Sequence, residues 1–563
     1  MTKPYDPPRP WIDSYAEGVP DDLAEVTGSL VDIVRGSARE FPDAAALEFF
    51  GREMTYRALN DQIERAAAAL KSLGVAAGDP VAIILPNCPQ HIVAFYAVLR
   101  LGAVVVEHNP LYTPRELRKQ FEDHGAKTAI AWSKVVEAVQ EFPADLAVTN
   151  LISVDVTRAM PFTMRAMLRL PVAKAREARE ALHATVRGAI EWERLTASEP
   201  LPSSHPLPAT DDLAIIQYTS GTTGTPKGAA LTHRNLLANA AQARAWVPGI
   251  QRGPGCVVYA VLPMFHAYGL TLCLTFAMSM GARLVLFPRF DPDLVLAVMK
   301  KRPATFLPLV PPIADRLLKA ATEQGVSLHG TEVAISGAMA LPHELVVPFE
   351  AASGGFLVEG YGLSECSPVL MANPVADNRV PGTVGLPLPG TEVRVVDPGD
   401  PTKDVAAGDR GELLVRGPQV FQGYYGKPEE TEKVFVDGWF RTGDVVTVDE
   451  GGFVRIVDRI KELIITGGFN VAPTEVEIAL RQHPQVEDAA VVGLPSEHSG
   501  EEVVAAIVVA PGAEIDVESV REFARGILTP YKVPRRIFVV DELPKSLIGK
   551  VLRRQVRDSL LAL

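Results

Sequence analysis

The residues from Tyr218 to Gly228, YTSGTTGTPKG, have the composition of an anion cradle. Gly221, Gly224 and Gly228 let backbone N–H groups turn toward a negative ligand, and Thr219, Ser220, Thr222, Thr223 and Thr225 add hydroxyl donors. Lys227 supplies a mobile positive charge and Pro226 restrains the loop, so a triphosphate is the natural guest. Stretches rich in Ser, Thr and Gly are more often plain surface loops. Here the strand pattern DLAIIQ precedes the loop and the helical pattern HRNLLANAAQARAW follows it, which argues against a linker. Nor is it a Walker A loop. Lys227 has the right spacing from Gly221, but Pro226 replaces the last Gly and Gly228 replaces the Ser or Thr that would hold magnesium, so a P-loop kinase or ATPase is disfavoured.

Other residues could serve the same anion. In GYGLSECSP, Tyr361 offers an aromatic plane and Glu365 a hard oxygen ligand, although each taken alone reads as a core and a surface residue. Asp444 in GWFRTGD, Arg459 in DRIK and Lys550 in PKSLIGKVLRR also have ordinary readings: a turn aspartate, a solvated arginine and an exposed C-terminal lysine. His266 in PMFHAYG reads alone as a satisfied core histidine, and Gly467 and Gly468 as a tight turn.

Taken together and in this order, the loop, GYGLSE at 360–365, GWFRTGD at 438–444, DRIKELIITGGFNVAPTEVE at 458–477 and PKSLIGKVLRR at 544–554 resemble the adenylate-forming enzymes across essentially the whole chain. That superfamily includes acyl-CoA synthetases, nonribosomal peptide adenylation domains and beetle luciferases. The resemblance implies ATP and Mg2+, with coenzyme A as co-substrate. A carboxylate would attack the α-phosphate, pyrophosphate would leave, and a thiol would open the acyl adenylate. Because two anions must meet, charge neutralisation and alignment should dominate.

By resemblance, Tyr361 stacks on adenine, Glu365 binds magnesium, and Ser364 stands where Thr is common and touches phosphate. Glu359 and Gly360 precede Tyr361 among the nucleotide-binding residues, and Gly337 and Ala338 belong to ISGAMALP (335–342), the segment lining adenine and the acyl pocket. Ala338 replaces a common Gly and Ala340 a common Pro. Asp444 accepts the ribose hydroxyls, Arg459 adds ribose or phosphate contacts, and His266 lies near the acyl and phosphate groups. Lys550 contacts the carboxylate and α-phosphate during adenylation. Lys461 matches the hinge about which a small domain turns, removing Lys550 and bringing Gly467 and Gly468 to the pantetheine channel.

Bulk properties agree with an enzyme of this size. A chain of 563 residues exceeds one ordinary core, so two or more domains are expected. The net charge of -13 gives no attraction for nucleic acid backbones, which excludes that partner class. Cys88, Cys256, Cys273 and Cys366 form no CxxC pair, which points away from disulfides and thiolate zinc and toward a reducing, cytoplasmic setting. The N-terminus lacks a secretory pattern. Gly269–Phe287, the longest apolar stretch, reads as buried core because Arg283 and small polar residues interrupt it.

The fold expected is α/β: a large N-terminal domain of stacked α/β sheets plus a β subdomain, and a small mobile C-terminal α+β domain. Strand and helix patterns alternate from Thr55 onward, implying parallel strands with helices on their faces. Strands are predicted at VAIILP, LAVTN from Leu146, LISV, DLAIIQYTS, VVYAVLP, ARLVLFP, EVAISG and GFLVEGYG. Short β runs dominate about 385–457, and mixed α/β resumes beyond, giving domains at 1–459 and 460–563.

From Arg158 to Arg187, Met, Leu and Phe mix with repeated Arg and Lys. This is either a surface helix pair packed on the domain or an interfacial patch resting on anionic membrane, and Pro161 and Pro171 preclude one long helix. NPLYTPREL (109–117) and RPWIDSYAEGVP resemble bacterial long-chain fatty acid–CoA ligases, implying a fatty acid partner and peripheral contact with the inner face of the membrane. A homodimer is compatible with the same reading. The alternatives are an acyl-AMP ligase serving another acid or a carrier protein, and a noncatalytic nucleotide- or acyl-binding regulator.

Overall fold

The computed structural model describes residues 9–143, 145–146, 148–219, 226–466, 469–496, 500–546 and 549–562. Two large sheets carry most of the chain. The first has seven strands in the order Ile190–Glu191, Asn150–Val154, Thr128–Trp132, Pro80–Ile84, Val104–Glu107, Leu213–Thr219, Lys227–Thr232. All neighbours are parallel except the last pair. The second has nine strands and runs from Leu386–Pro387 through Phe356–Gly362, Val333–Ser336 and Phe306–Leu309 to Ala45–Phe49 and Arg52–Thr55.

Helices close the gap between these sheets because their sequences are apolar all round or on one wide face. Pro89–Arg100 is buried at every residue, including Arg100, whose Nε pairs with Glu64 at 3.0 Å. Tyr56–Ser72 buries Leu59, Ile63, Ala66, Ala67 and Leu70 at helical spacing. It starts at Thr55, whose side chain accepts the Ala58 N–H at 3.2 Å, a cap worth about 1 kcal/mol. The stretch from Gly269 is core as expected: a buried helix, π-helical over Leu270–Thr275, leads into strand Arg283–Leu286. Among the described residues no helix is long and apolar enough to cross a membrane. The four cysteines are free and buried.

A six-stranded antiparallel sheet follows, with Trp439–Val448 paired to Gly411–Arg416 on one side and to Val454–Arg459 on the other. One continuous apolar core spans Trp11 to Val454. The last hundred residues have a sheet of their own, built on the long antiparallel pair Val486–Ser496 and Gly500–Val509. Its faces bury separate clusters, one around Val476 and Val520 and the other around Val556 and Leu560. The large and small domains expected from sequence are thus both present.

One local expectation is corrected. Leu146 lies in a turn, its N–H bonded to Pro143 O at 2.9 Å, rather than in a strand; the proline starts the turn before a ladder forms. The helix expected at HRNLLANAAQARAW is found at His233–Trp246, and before it Lys227–Thr232 forms an edge strand whose Gly and Ala residues gave little β signal. The 158–187 segment forms two short helices, Phe162–Met167 and Ala173–Leu182, broken at the prolines as expected.

Candidate active site

The anion loop joins two antiparallel strands. Thr219 pairs with Lys227 across the ladder, so both ends of the loop are held by the seven-stranded sheet. Ser220, Gly221, Thr222, Thr223, Gly224 and Thr225 lie outside the described residues, as does the Thr219 side chain. Gly228 is required by close approach, since a Cβ there would sit 2.4 Å from Ile216 Cγ2.

The segment from Gly423 to Lys433 packs on this strand pair. Gly423 O accepts the Ala230 N–H at 3.0 Å, and the Tyr425 N–H donates to Gly228 O at 2.8 Å. Two ion pairs secure the same contact: Lys227 Nζ to Glu430 Oε2 at 2.5 Å and Lys427 Nζ to Asp123 Oδ1 at 2.5 Å. Asp123 also accepts the Tyr218 hydroxyl at 2.8 Å. Hydrogen bonding from Lys227, then Lys433, holds the Glu430 carboxyl down to about 2. These partners were missed in the sequence. Pro428 followed by Glu429 and Glu430 signals a helix start, but nothing local places it against Lys227.

Tyr424 connects the loop to the GYGLSE motif. Its hydroxyl donates to Glu365 Oε1 at 2.8 Å, and Lys227 Nζ lies 5.4 Å from its ring centroid. Glu365 sits in the short turn Ser364–Cys366, just after strand Phe356–Gly362. A partly buried carboxylate has the chemistry that suits Mg2+, which binds through one or two carboxylates plus substrate phosphates.

Tyr361, on the strand, donates its hydroxyl to Asp444 Oδ2. Burial, then the Asp444 charge, raises the Tyr361 pKa far above the usual phenol value, which keeps it a neutral donor. Asp444 is buried in mid-strand, directly opposite Arg459, whose Nε reaches Asp444 Oδ1 at 2.9 Å.

His266 and the 337–342 segment line the neighbouring wall. Phe265 O accepts Gln217 Nε2 at 3.0 Å, which places His266 beside the strand that enters the anion loop. Burial lowers the His266 pKa to about 4, so the ring is neutral. Tyr268 donates to Ile335 O at 2.8 Å, and a Cβ on Gly337 would meet its Cζ at 3.0 Å. Ala338 has φ +66°, the left-handed region. That backbone explains why glycine suits this position. Burial pushes the Glu359 carboxyl up to about 7, partly offset by the Leu341 N–H bonded to it. Glu359 therefore braces the 337–342 segment, and Gly360 packs against Ile335 and the Met371 carbonyl.

The small domain brings Lys550 into the same space. A Cβ on Gly549 would lie 3.0 Å from Pro312 Cγ and 3.6 Å from Met339 Sδ, so the lysine loop rests on the large domain at the 337–342 segment. The loop is a tight turn, with the Ser546 N–H donating to Lys550 O at 2.8 Å and the Lys550 N–H to Ser546 Oγ at 3.1 Å. Burial first, then the Arg459 charge, lowers the Lys550 pKa, while Glu462 and Asp444 oppose the shift. Lys550, Arg459 and Asp444 thus share one electrostatic neighbourhood.

Arg553, three residues on, was quoted in the sequence motif without a role. It bonds Glu477 at 2.8 and 2.7 Å, Thr474 Oγ1 at 2.7 Å, and Glu462. Its charge also lies 3.9 Å from Asp458, whose Oδ2 accepts the Thr474 N–H at 2.9 Å. Lys461 falls in the intervening turn Ile460–Glu462, with its side chain outside the described set; Gly467 and Gly468 are outside it entirely. The structure therefore links Lys227 to Glu365 through Tyr424, and joins Tyr361, Asp444, Arg459 and Lys550 in a second group.

A buried tyrosine, a buried aspartate, a partly buried glutamate and several cations are the side chains that a nucleotide-dependent acid-activating enzyme would need. The chain matches the AMP-binding enzyme family over residues 34–425 and the AMP-binding enzyme C-terminal domain over residues 475–550. It belongs to that family. It is 37% identical over 556 residues to a long-chain-fatty-acid–CoA ligase of Bacillus subtilis (strain 168), covering 98% of each chain. It is 38% identical over 565 residues to the ligase of that name in Escherichia coli O157:H7, covering 97% of this chain and 98% of the relative. Its fold is similar to that of ATP-bound MatB from Rhodopseudomonas palustris: TM-score 0.80, 30% identity, 95% of this chain and 99% of that one covered.

Proposed function

We propose that the protein is a long-chain fatty acid–CoA ligase. It activates a fatty acid with ATP to acyl-AMP, releasing pyrophosphate, and passes the acyl group to the coenzyme A thiol, releasing AMP. The observation that carries this reading is the seating of the Lys550 loop on Pro312 and Met339, with Lys550 in the field of Arg459 and Asp444. That arrangement suits the first half-reaction, in which a carboxylate must approach a phosphate. The names of the full-length relatives support the fatty acid and the thiol acceptor.

In this reading Tyr361 stacks on adenine, Asp444 takes the ribose hydroxyls as a charged acceptor, and Arg459 orients Asp444 and reaches toward phosphate. The loop Thr219–Thr225 and Lys227 hold the β- and γ-phosphates, Ser364 contacts phosphate, and Glu365 would hold Mg2+, which would supply charge neutralisation. Gly337, Ala338, Glu359, Gly360 and His266 shape the adenine and acyl walls; His266 acts as a neutral ring. Lys550 cancels charge as the carboxylate oxygen attacks the α-phosphorus. Residues 460–563 then turn about Lys461 relative to 1–459, withdrawing Lys550 and presenting Gly467 and Gly468 to the pantetheine arm. The reaction runs in the cytoplasm with peripheral contact at the inner face of the membrane.

A panel of carboxylic acids assayed for ATP- and CoA-dependent thioester formation tests the assignment. Laurate and palmitate are expected to give thioester with stoichiometric pyrophosphate. Adenylate without thioester would transfer the assignment to a carrier-protein ligase, and no pyrophosphate with any acid would leave a noncatalytic binder.

A further inference from the structure

The helices Phe162–Met167 and Ala173–Leu182 contribute no buried residue, although the segment is firmly attached. Met164, Leu168 and Leu182 pack partly on the main core, Trp132 Nε1 donates to Leu182 O at 2.8 Å, and Gln140 Nε2 donates to Arg187 O at 2.8 Å. The outward side is apolar. Phe162 is 74% exposed, Met167 54%, Leu170 53% and Val172 54%. Of the twelve large hydrophobic residues that are exposed among those described, these four fall within eleven positions, which is a patch and not the normal scatter.

The charge around this patch is equally unusual. Residues 158–187 carry seven Arg and Lys against two Glu, in a chain of net charge -13. Arg158 pairs with Asp155 at 3.7 Å. Among the described residues Arg165, Arg169, Lys174, Arg176, Arg179 and Arg187 form no ion pair, even though Glu180 lies four positions after Arg176 on the same helix. The Arg165 guanidinium instead lies over the Phe162 ring, 5.8 Å from its centroid. Elsewhere the chain pairs its arginines closely, as at Arg553, Arg302 and Arg283. A helix pair serving only to cover the core would bury its apolar residues and pair its cations.

We infer that this surface docks on an anionic lipid bilayer, with Phe162, Met167, Leu170 and Val172 entering the headgroup–acyl boundary and the unpaired cations meeting lipid phosphates. The inference rests on the reading that the acid is a long-chain fatty acid, a substrate that partitions into bilayers. A second copy of the chain fits less well: in a two-fold dimer this patch would face itself and set like charges together.

The test is sedimentation of the full-length protein, without substrate, with vesicles of phosphatidylcholine alone or mixed with phosphatidylglycerol. Binding is expected only with the anionic lipid and should fall at least about tenfold when salt is raised from about 0.1 M to about 1 M. Two variants, Arg165→Glu/Arg169→Glu/Arg176→Glu and Phe162→Ser/Leu170→Ser, should each weaken it at least about tenfold. Both should keep the wild-type unfolding midpoint and the wild-type rate of thioester formation from vesicle-free laurate. Wild-type binding by the variants, equal binding to neutral vesicles, or no binding to either would overturn the inference, as would a dimer that dissociates in the variants. Failure of the ligase reading shows separately, as no thioester from the wild-type protein without vesicles.

Discussion

Asp444 and Arg459 are register partners on two antiparallel strands, and the Arg459 Nε lies 2.9 Å from Asp444 Oδ1 while the Tyr361 hydroxyl takes Oδ2. One buried carboxylate therefore joins the Tyr361 hydroxyl to the Arg459 guanidinium. Asp444→Asn keeps the shape and removes the charge. ATP affinity, measured calorimetrically, should fall at least tenfold, about 1.4 kcal/mol, with little change in fatty acid KM. An unchanged ATP Kd would contradict the ribose role.

Arg553 ties the helix carrying Thr474 and Glu477 to Glu462 and Asp458, on either side of Lys461. It thereby anchors the start of helix Arg553–Leu561, three residues after Lys550, and this anchor is expected to position the lysine. Arg553→Lys retains charge but loses the planar fork. Acyl-AMP formation should slow by about ten- to a hundredfold, while thioester formation from supplied acyl-AMP stays within about twofold of wild type. Equal loss in both steps with unchanged stability would reject a positioning role.

His266 titrates at about 4 instead of the ordinary 6.5 because burial disfavours its charged form. The folded state thus binds fewer protons here than the unfolded chain between these values, so this residue's contribution to stability is present above 6.5 and is lost as pH falls toward 4. No acid limb of activity near 6.5 should belong to it. The kcat–pH profile of His266→Phe should parallel wild type, whereas His266→Ala, which empties the wall, should lose activity at every pH. Disappearance of a limb near 6.5 in the Phe variant would show that a charged imidazole matters.

Ala338 occupies left-handed backbone at φ +66°. Ala338→Gly should raise stability by about 1 kcal/mol, read as a shift of the urea midpoint. A lower midpoint would mean that the methyl group packs usefully against the cleft.

Much of this arrangement was legible locally and some of it was not. Helical spacing announced Tyr56–Ser72, and continuous apolar runs announced the buried strands Pro80–Ile84 and Val257–Ala260. The sorting of strands into two sheets was not legible, because partners such as Leu47 and Leu284 meet only through long-range pairing. Asp444 and Lys550 were found through motifs, yet their meeting depends on how the small domain sits. Glu430 was visible only as part of a helix start: its contact with Lys227 comes from the tertiary placement of the segment that follows Tyr424. The 158–187 segment announced its composition in sequence, but only the fold showed which side chains face outward.

The most direct measurement is the separation of half-reactions in Lys550→Ala. Acyl-AMP formation, followed by fatty acid-dependent pyrophosphate release, should fall by several orders of magnitude, because the approach of two anions loses its neutralising cation. Thioester formation from supplied acyl-AMP and coenzyme A should remain close to the wild-type rate. Equal collapse of both steps, or intact pyrophosphate release, would contradict the assignment of Lys550 to the adenylation step.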